Sequence, residues 1–176
     1  MIFVMEYVEG HDLGVEIDRV GRLPLRRAID LTRQVLGALQ HAHGFGLVHR
    51  DLKPENVLLG RNASGAEQIK MIDFGLVKMV GDVLGAEGRA RLTATGVIFG
   101  TPAYMAPEQL RGEAVDARTD IYALGALMYR ALTGHYPFNG PTPMAVFTKH
   151  LTEAPIAPID RAPEVGIPPG VNRQIG

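Results

Sequence analysis

HRDLKPEN, residues His49–Asn56, is the stretch that decides how this chain is interpreted, together with the tripeptide DFG that begins at Asp73. Together the two segments supply two acids, Asp51 and Asp73, the ammonium group of Lys53 and the amide of Asn56. Carboxylate and amide oxygens are hard ligands that suit Mg²⁺. Phosphoryl transfer needs mainly positioning and electrostatic stabilisation from a protein. The ordered set therefore predicts a site for phosphoryl transfer from ATP.

A second segment, GTPAYMAPE at residues 100–108, follows the first in the order typical of one enzyme family. With both segments, the chain resembles a eukaryotic-like serine/threonine protein kinase of the kind found in bacteria, along nearly its whole length. The resemblance implies an α+β, mostly α-helical fold. This would be the large lobe of a protein kinase, with short β-hairpins around the HRDLKPEN loop and without the small lobe. It also implies ATP and Mg²⁺ as cofactors and Ser/Thr hydroxyls of proteins as acceptors.

The resemblance assigns catalytic roles to five side chains. Asp51 would accept the proton of the attacking hydroxyl, and Lys53 would neutralise charge on the transferring phosphoryl group. Thr101 would contact both and favour a Ser/Thr acceptor. Asn56 and Asp73 would hold Mg²⁺ against the phosphates.

Six residues would bind the nucleotide by the same resemblance: Met5, Glu6, Val8, Asp12, Leu13 and Leu58. The first stands at the gatekeeper position at the back of the pocket. The next two would face the edge of adenine through their backbone groups, and the acid would reach the ribose hydroxyls. The two leucines would enclose the adenine ring. Taken alone, the segment is also compatible with a plain edge strand and turn.

Regulatory roles follow for three residues. Arg50 precedes the catalytic acid directly and would bind a phosphothreonine that orders the loop. Thr93 and Thr95 lie where bacterial members of the family carry paired threonines that they phosphorylate themselves. A homodimer would allow one copy to modify the other. Two solvated loop threonines with no regulatory role are the alternative.

Supporting roles are expected for four more residues. Asp120 would hold the backbone of the HRDLKPEN loop from a buried helix, and a simple N-cap aspartate would be compatible with that role. Glu108 should pair with an arginine in a later helix, because an unpaired buried carboxylate is costly, but the sequence does not assign that arginine. His49 and Phe74 are expected to pack beneath the site.

Hydrophobic spacing predicts the secondary structure. The predicted elements are a strand at 2–5, helices over 15–20, 25–43, 121–132 and 144–151, and a hairpin of strands 57–59 and 69–72. Segment 76–100 has no steady period and is predicted to be a long surface loop. The proline-rich tail from Pro155 is predicted to be extended or irregular. We expect one partial kinase domain, with the last small-lobe strand and hinge at 1–13 and a large lobe lacking its final helices at 14–176.

The composition is that of an ordinary globular protein, with 46% hydrophobic and 21% charged residues. A net charge of -1 gives no electrostatic reason to expect nucleic acid as a partner. The absence of cysteine excludes a disulfide framework and a thiolate zinc site. No apolar run reaches the roughly 20 residues of a membrane span, so a cytoplasmic location is expected for this piece, with any membrane anchor of a parent protein lying elsewhere.

Three parts of a whole kinase domain are missing from the sequence: the Gly-rich loop, the strand lysine and the helix glutamate. We therefore expect a fragment truncated at both ends, weak or inactive alone, with bare apolar surface that lowers its solubility. One alternative is a non-catalytic pseudokinase-like binding module, which the intact acids, lysine and asparagine disfavour. A small-molecule phosphotransferase of related fold is disfavoured by Arg50, Lys53 and the APE tripeptide at 106–108.

Overall fold

The computed structural model describes residues 8–74 and 102–168. The strand predicted at 2–5, the loop predicted at 76–100 and the last part of the proline-rich tail lie outside the described residues. Within them the chain forms three short strands, six α-helices and three 3₁₀ turns. The architecture is α+β and mostly helical, as predicted.

The elements in chain order are the following. The strands are β1 (His11–Asp12), β2 (Val57–Arg61) and β3 (Glu67–Met71). The helices are α1 (Leu13–Val20), α2 (Leu25–Gly44), α3 (Pro107–Arg111), α4 (Ala117–Thr133), α5 (Pro143–Thr152) and α6 (Pro158–Arg161). The 3₁₀ turns are Pro54–Asn56, Pro102–Tyr104 and Pro163–Val165.

The four helices predicted from hydrophobic spacing are confirmed as α1, α2, α4 and α5, with ends that differ by a few residues. The tail is more regular than predicted, because α6 and a 3₁₀ turn lie within it. Both begin with a proline, Pro158 and Pro163. Proline suits the first helical position, where its missing N–H costs no hydrogen bond and its φ is already helical.

Helix α2 packs one apolar face against α4 and β3. Its buried residues recur at three- and four-residue spacing and are Ala28, Leu31, Val35, Leu39 and Ala42. Gln34 also ties the helix to the sheet. Its Nε2 donates to the Glu67 carbonyl at 3.3 Å, and its Oε1 accepts the Ile69 N–H at 3.0 Å. The outer backbone of β3 is thereby paired with a helix side chain.

Helix α4 is the central helix of the core. It begins at the N-cap Asp116, whose carboxylate accepts the Arg118 N–H at 2.8 Å. It ends at Gly134, where φ is 75° and a Cβ would lie 2.5 Å from the Gly21 carbonyl oxygen. Only glycine fits that left-handed close approach. The predicted burial is confirmed for most of the helix, but Ile121 is 49% exposed.

Strands β2 and β3 form an antiparallel hairpin, and β1 pairs with the other side of β2. Both hairpin strands run further into the turn than predicted, because Asn62 closes a tight turn. Its Oδ1 accepts the N–H groups of Ser64 and Ala66, both at 3.0 Å. The register pairs Val57 with Met71. Asn56, the residue before β2, therefore lies opposite Ile72, the residue after β3. This register brings the backbone before Asp73 to the HRDLKPEN segment.

Several large apolar side chains are exposed among the described residues. Phe45 and Leu47, in the loop after α2, are 71% and 57% exposed. The low solubility expected from bare apolar surface stays a prediction. Within residues 8–74 and 102–168, no helix has both the length and the apolar character required to cross a lipid bilayer.

Candidate active site

The segment between α2 and β2, residues 45–56, carries the predicted catalytic acid and lysine, and we call it the catalytic loop. The Lys53 Nζ atom lies 3.4 Å from the Asp51 Oδ2 atom, and these side chains are 25% and 39% exposed. Both groups are therefore accessible from solvent. The structure brings an acid and an ammonium group together in one accessible cluster.

Asn56 closes the catalytic loop from within. Its side chain is buried, and its Nδ2 donates to the Asp51 carbonyl at 2.9 Å. A buried amide held this way fixes the backbone that carries the acid. The same bond fixes the orientation of the amide, so that its Oδ1 keeps one direction.

The hairpin register brings the DFG segment to the catalytic loop. The Ile72 N–H donates to the Asn56 carbonyl at 3.1 Å, so Asp73 follows directly after a residue bonded to the loop. The Asp73 side chain is exposed. Short contacts join Asp51, Lys53 and Asn56. The fourth group, Asp73, follows directly after Ile72, whose backbone is bonded to the loop.

His49 lies beneath the loop as a structural residue. Its Nε2 lies 3.1 Å from the Ile72 carbonyl and therefore donates, while its Nδ1 accepts the Asp51 N–H at 3.3 Å. Burial lowers the pKa of His49, although the nearby Asp120 carboxylate opposes that effect, so the ring stays neutral. The Phe74 ring centroid lies 4.6 Å from the imidazole centroid. The predicted packing of His49 and Phe74 beneath the site is confirmed.

Two residues of the site have left-handed backbone conformations. Arg50 has a φ of 66° and Asp73 a φ of 60°, and among the described residues they are the only non-glycine residues with positive φ. This conformation costs a residue with a Cβ roughly 1–2 kcal/mol. The surrounding contacts must supply that free energy, and for Arg50 the hydrogen bonds around its backbone do so.

Asp120, in the first turn of α4, supplies much of the support for Arg50. Its carboxylate is fully buried, and its Oδ1 accepts the Arg50 N–H at 2.8 Å. Its Oδ2 accepts the His49 N–H at 2.8 Å and lies 2.7 Å from His43 Nε2. The predicted contact with the loop backbone is confirmed. Asp120 is not the N-cap itself, because Asp116 caps the helix.

A buried arginine anchors the segment that follows residue 101. Arg130 is 7% exposed, and its Nη1 donates to the Tyr104 hydroxyl at 2.8 Å. Its Nη2 donates to Asp18 at 2.5 Å, and its guanidinium lies 4.6 Å from the centroid of the Tyr136 ring. Burial raises the pKa of the Tyr104 hydroxyl above its usual range, so that group stays neutral and accepts the bond.

Glu108, the last residue of the APE tripeptide, accepts a hydrogen bond from the Thr119 hydroxyl at 2.6 Å. Within the part of the chain that the structure describes, this hydroxyl is the side-chain partner found for it. The arginine partner expected from the sequence stays a prediction.

Four of the six predicted nucleotide-binding residues lie within the described residues: Val8, Asp12, Leu13 and Leu58. Asp12 and Leu58 are paired across β1 and β2, so this face of the sheet presents an acid beside a partly buried leucine. The Asp12 carboxylate also caps α1 by accepting the Val15 N–H at 2.9 Å. Leu13 is 1% exposed and packs in the core, which argues against its predicted contact with adenine. Leu13 is therefore not part of the proposed nucleotide site.

Five of the predicted site residues lie outside the described residues: Met5, Glu6, Thr93, Thr95 and Thr101. Val8 is the first described residue and is partly buried. The roles assigned to these six residues stay predictions.

The donor set near the loop fits Mg²⁺ better than a metal that needs a closed protein cage. Residues 8–74 and 102–168 contain no group of three or more His, Asp or Glu side chains placed to hold a metal ion. Mg²⁺ usually takes one or two protein oxygens and completes its shell with water and phosphate oxygens. Asp73 offers an exposed carboxylate and Asn56 an amide oxygen on a side chain held by a hydrogen bond, which are ligands of that kind.

Sequence reasoning missed three residues that organise the site: His43, Gln109 and Arg130. The first two bond to Asp120 and to the Arg50 carbonyl, and the third bonds to Tyr104. Each partner is distant in the sequence, so spacing carried no signal. For Arg130, its place in an otherwise apolar helix was the one available hint that it would be buried and paired.

Comparisons with known proteins show the family of this chain. The family model described as "Protein kinase domain" matches residues 1–168. The chain belongs to the protein kinase family. The kinase domain is 41% identical over 175 residues to the serine/threonine-protein kinase pkn3 of Myxococcus xanthus, covering 99% of this chain and 31% of that protein. It is 39% identical over 162 residues to the serine/threonine-protein kinase PknB of Mycolicibacterium smegmatis, covering 92% and 24%.

A solved structure of the same family resembles this kinase domain. It is the Rad53 kinase domain and SCD2 in complex with AMPPNP, with a TM-score of 0.71 and 27% identity, covering 97% of this chain and 58% of that chain. The chain spans roughly a fifth to a third of the length of the curated relatives that it matches. The expected resemblance to bacterial serine/threonine kinases is confirmed.

Proposed function

We propose that the protein carrying this chain is a serine/threonine protein kinase, which transfers the terminal phosphoryl group of ATP to Ser/Thr hydroxyls of proteins. One observation carries the proposal: the Asp51 carboxylate and the Lys53 ammonium group lie 3.4 Å apart in a loop tied to a buried helix. Kinase catalysis depends on such preorganised charges.

The reaction joins the acceptor oxygen to the terminal phosphorus and breaks the bond from that phosphorus to the bridging oxygen of ATP. Asp51 orients the acceptor hydroxyl and takes its proton as the new bond forms. Lys53 offsets negative charge on the transferring group. The pair must be held in place before substrate arrives, and the bond from Asn56 to the Asp51 carbonyl serves that purpose.

Asn56 and Asp73 would hold Mg²⁺, which supplies positive charge against the phosphates when it is bound. The fixed amide of Asn56 and the exposed carboxylate of Asp73 support this assignment. Asp12 and Leu58 would contact the ribose and adenine, together with Met5 and the backbone groups of Glu6 and Val8. The pairing of Asp12 with Leu58 across two strands supports a common surface for the nucleoside.

Thr101 would contact the catalytic pair and favour a Ser/Thr acceptor. Thr93 and Thr95 would be sites of autophosphorylation, with one copy of the kinase modifying another in a transient homodimer. Arg50 would then receive the phosphate of a modified threonine. Phosphopeptide mapping of active protein tests this part directly, and activity without modification at either threonine would contradict it.

A phosphate-transfer assay tests the main proposal. The protein carrying this chain is incubated with radiolabelled ATP, Mg²⁺ and a protein substrate rich in serine and threonine, beside Asp51→Asn and Asp30→Asn variants. Asp30 is an exposed acid on α2 and is the matched control. We expect transfer by the wild type and by Asp30→Asn, with loss in Asp51→Asn.

Two results would contradict the proposal. Transfer that survives in Asp51→Asn would remove the acid from its role. Nucleotide binding without any transfer would identify a pseudokinase-like binding module, because binding alone does not need the acid.

A further inference from the structure

Gln109, on α3, connects two segments of the site that are distant in the sequence. Its Nε2 donates to the Arg50 carbonyl at 2.7 Å, and its Oε1 accepts the Ala106 N–H at 3.1 Å. We infer that Gln109 is a positioning residue for Asp51, a role that rests on the kinase function proposed above.

The carbonyl that Gln109 binds belongs to one of the two strained residues of the site. Arg50 has a φ of 66°, and its N–H is held by the buried Asp120 at 2.8 Å. Gln109 holds the carbonyl of the same residue from a different helix. Both backbone polar groups of Arg50 are thus fixed by side chains, one from α4 and one from α3.

Fixing the Arg50 carbonyl also fixes the next residue. That carbonyl and the Asp51 N–H belong to one planar peptide unit, so they cannot rotate independently. The N–H end of this unit donates to His49 Nδ1 at 3.3 Å, which is a long hydrogen bond. The shorter bond from Gln109 to the carbonyl end therefore sets the orientation of the peptide plane that leads into Asp51.

Gln109 also links the catalytic loop to the segment before α3. Ala106 ends that segment, and the amide oxygen of Gln109 accepts its N–H. Tyr104, two residues earlier, is bonded to the buried Arg130. Order in residues 102–106 and orientation of Asp51 are therefore coupled through one side chain.

Two substitutions distinguish the hydrogen bond that Gln109 donates to Arg50 from the one that it accepts from Ala106. Gln109→Glu keeps an acceptor for Ala106 but cannot donate to the Arg50 carbonyl when it is ionised. Gln109→Met keeps a similar volume and removes both bonds. If donation to Arg50 is the important contact, both variants are impaired. If Gln109 only stabilises the start of α3, the glutamate variant is active.

The test is steady-state kinetics of phosphate transfer in the protein carrying this chain. The two variants are compared with the wild type and with Gln40→Glu, a matched charge change at an exposed position on α2. We expect kcat to fall on the order of 10–100-fold in both Gln109 variants with little change in KM for ATP, because misplacement of a catalytic group by about 1 Å has effects of that size. Gln40→Glu should match the wild type.

Hydrogen exchange of the Asp51 and Leu52 amides gives a second readout that needs no activity. We expect faster exchange at these two amides in both Gln109 variants. Wild-type kcat in Gln109→Glu, or unchanged exchange at these amides in both variants, would overturn the inference. If the wild type transfers no phosphate, the proposed function fails and the exchange measurement still decides the role of Gln109.

Discussion

The Asp120 carboxylate of α4 accepts the Arg50 N–H at 2.8 Å, across 70 positions of sequence. The core helix α4 is therefore bonded directly to the backbone of the catalytic loop. Since Asp120 is fully buried, the bond is made in an environment that strengthens charge-assisted hydrogen bonds.

Asp120→Asn should destabilise the fold by about 3 kcal/mol, because an amide offers one oxygen where the carboxylate offers two to buried donors. Urea unfolding measures this loss. Asp116→Asn is the matched control on the same helix, and it should cost less than about 0.5 kcal/mol because asparagine caps helices as well as aspartate. Equal losses in the two variants would refute the special role of Asp120.

Asn56→Ala should raise the Mg²⁺ concentration needed for half-maximal phosphate transfer by roughly 10–100-fold, the usual effect of disturbing a metal site. The variant loses a proposed oxygen ligand and the bond to the Asp51 carbonyl. A Mg²⁺ titration of the initial rate measures the shift. Asn139→Ala, at an exposed position, is the control. An unchanged titration in Asn56→Ala would remove this residue from the metal site.

His150 should make the fold sensitive to mild acid. Its ring is 5% exposed, and its Nδ1 lies 2.7 Å from the Tyr122 hydroxyl. Its Nε2 has no hydrogen-bond partner among residues 8–74 and 102–168. Burial lowers its pKa from 6.5 to about 4. The unfolded chain therefore takes up a proton near pH 6.5, and the folded chain does so only near pH 4. Stability is full above the upper value and falls as the pH decreases between the two, by about 3 kcal/mol.

Unfolding measured from pH 8 to pH 4 checks this effect. His150→Gln removes the titration while keeping an acceptor for Tyr122, so its stability should fall less over that range. His41→Gln, at an exposed histidine, should follow the wild type. Parallel curves for the wild type and His150→Gln would contradict the prediction.

Glu16 should stabilise the fold at neutral pH and lose that effect in strong acid. It is 2% exposed and accepts hydrogen bonds from Arg27, at 2.5 Å, and from Arg19, at 2.7 Å for the shortest. Burial alone would raise the pKa of Glu16, but the hydrogen bonds from Arg27, Arg19 and His11 outweigh it and lower the pKa from 4.5 to about 2. The contribution is present above the upper value and disappears as the pH falls toward the lower one.

Glu16→Gln should therefore cost about 1–3 kcal/mol at pH 7, with a difference from the wild type that narrows below pH 4.5. Unfolding at several pH values measures it. The exposed Glu153, which lies 3.8 Å from Lys149, supplies the control, and Glu153→Gln should change stability by less than about 0.5 kcal/mol. A difference that stays constant down to pH 2 would be inconsistent with this assignment.

Local patterns in the sequence determined the main elements. Apolar spacing in α2 and α4 reports which face of a helix is buried, because it depends only on helical geometry. The hairpin was also recognisable from its two short strands and the polar turn between them. Its exact register was not, because the side chain of Asn62 shortens the turn.

Tertiary structure alone decided which side chains support the site. The bond from Gln109 to Arg50 spans 59 positions, and Arg130 reaches Asp18 over 112. Leu13 was predicted to contact the nucleotide, but the structure places it in the core. Sequence motifs predicted Asp51, Lys53 and Asn56 as catalytic groups because these residues lie within one short loop. Supporting contacts depend on how distant elements pack, and neither periodicity nor spacing along the chain carries that information.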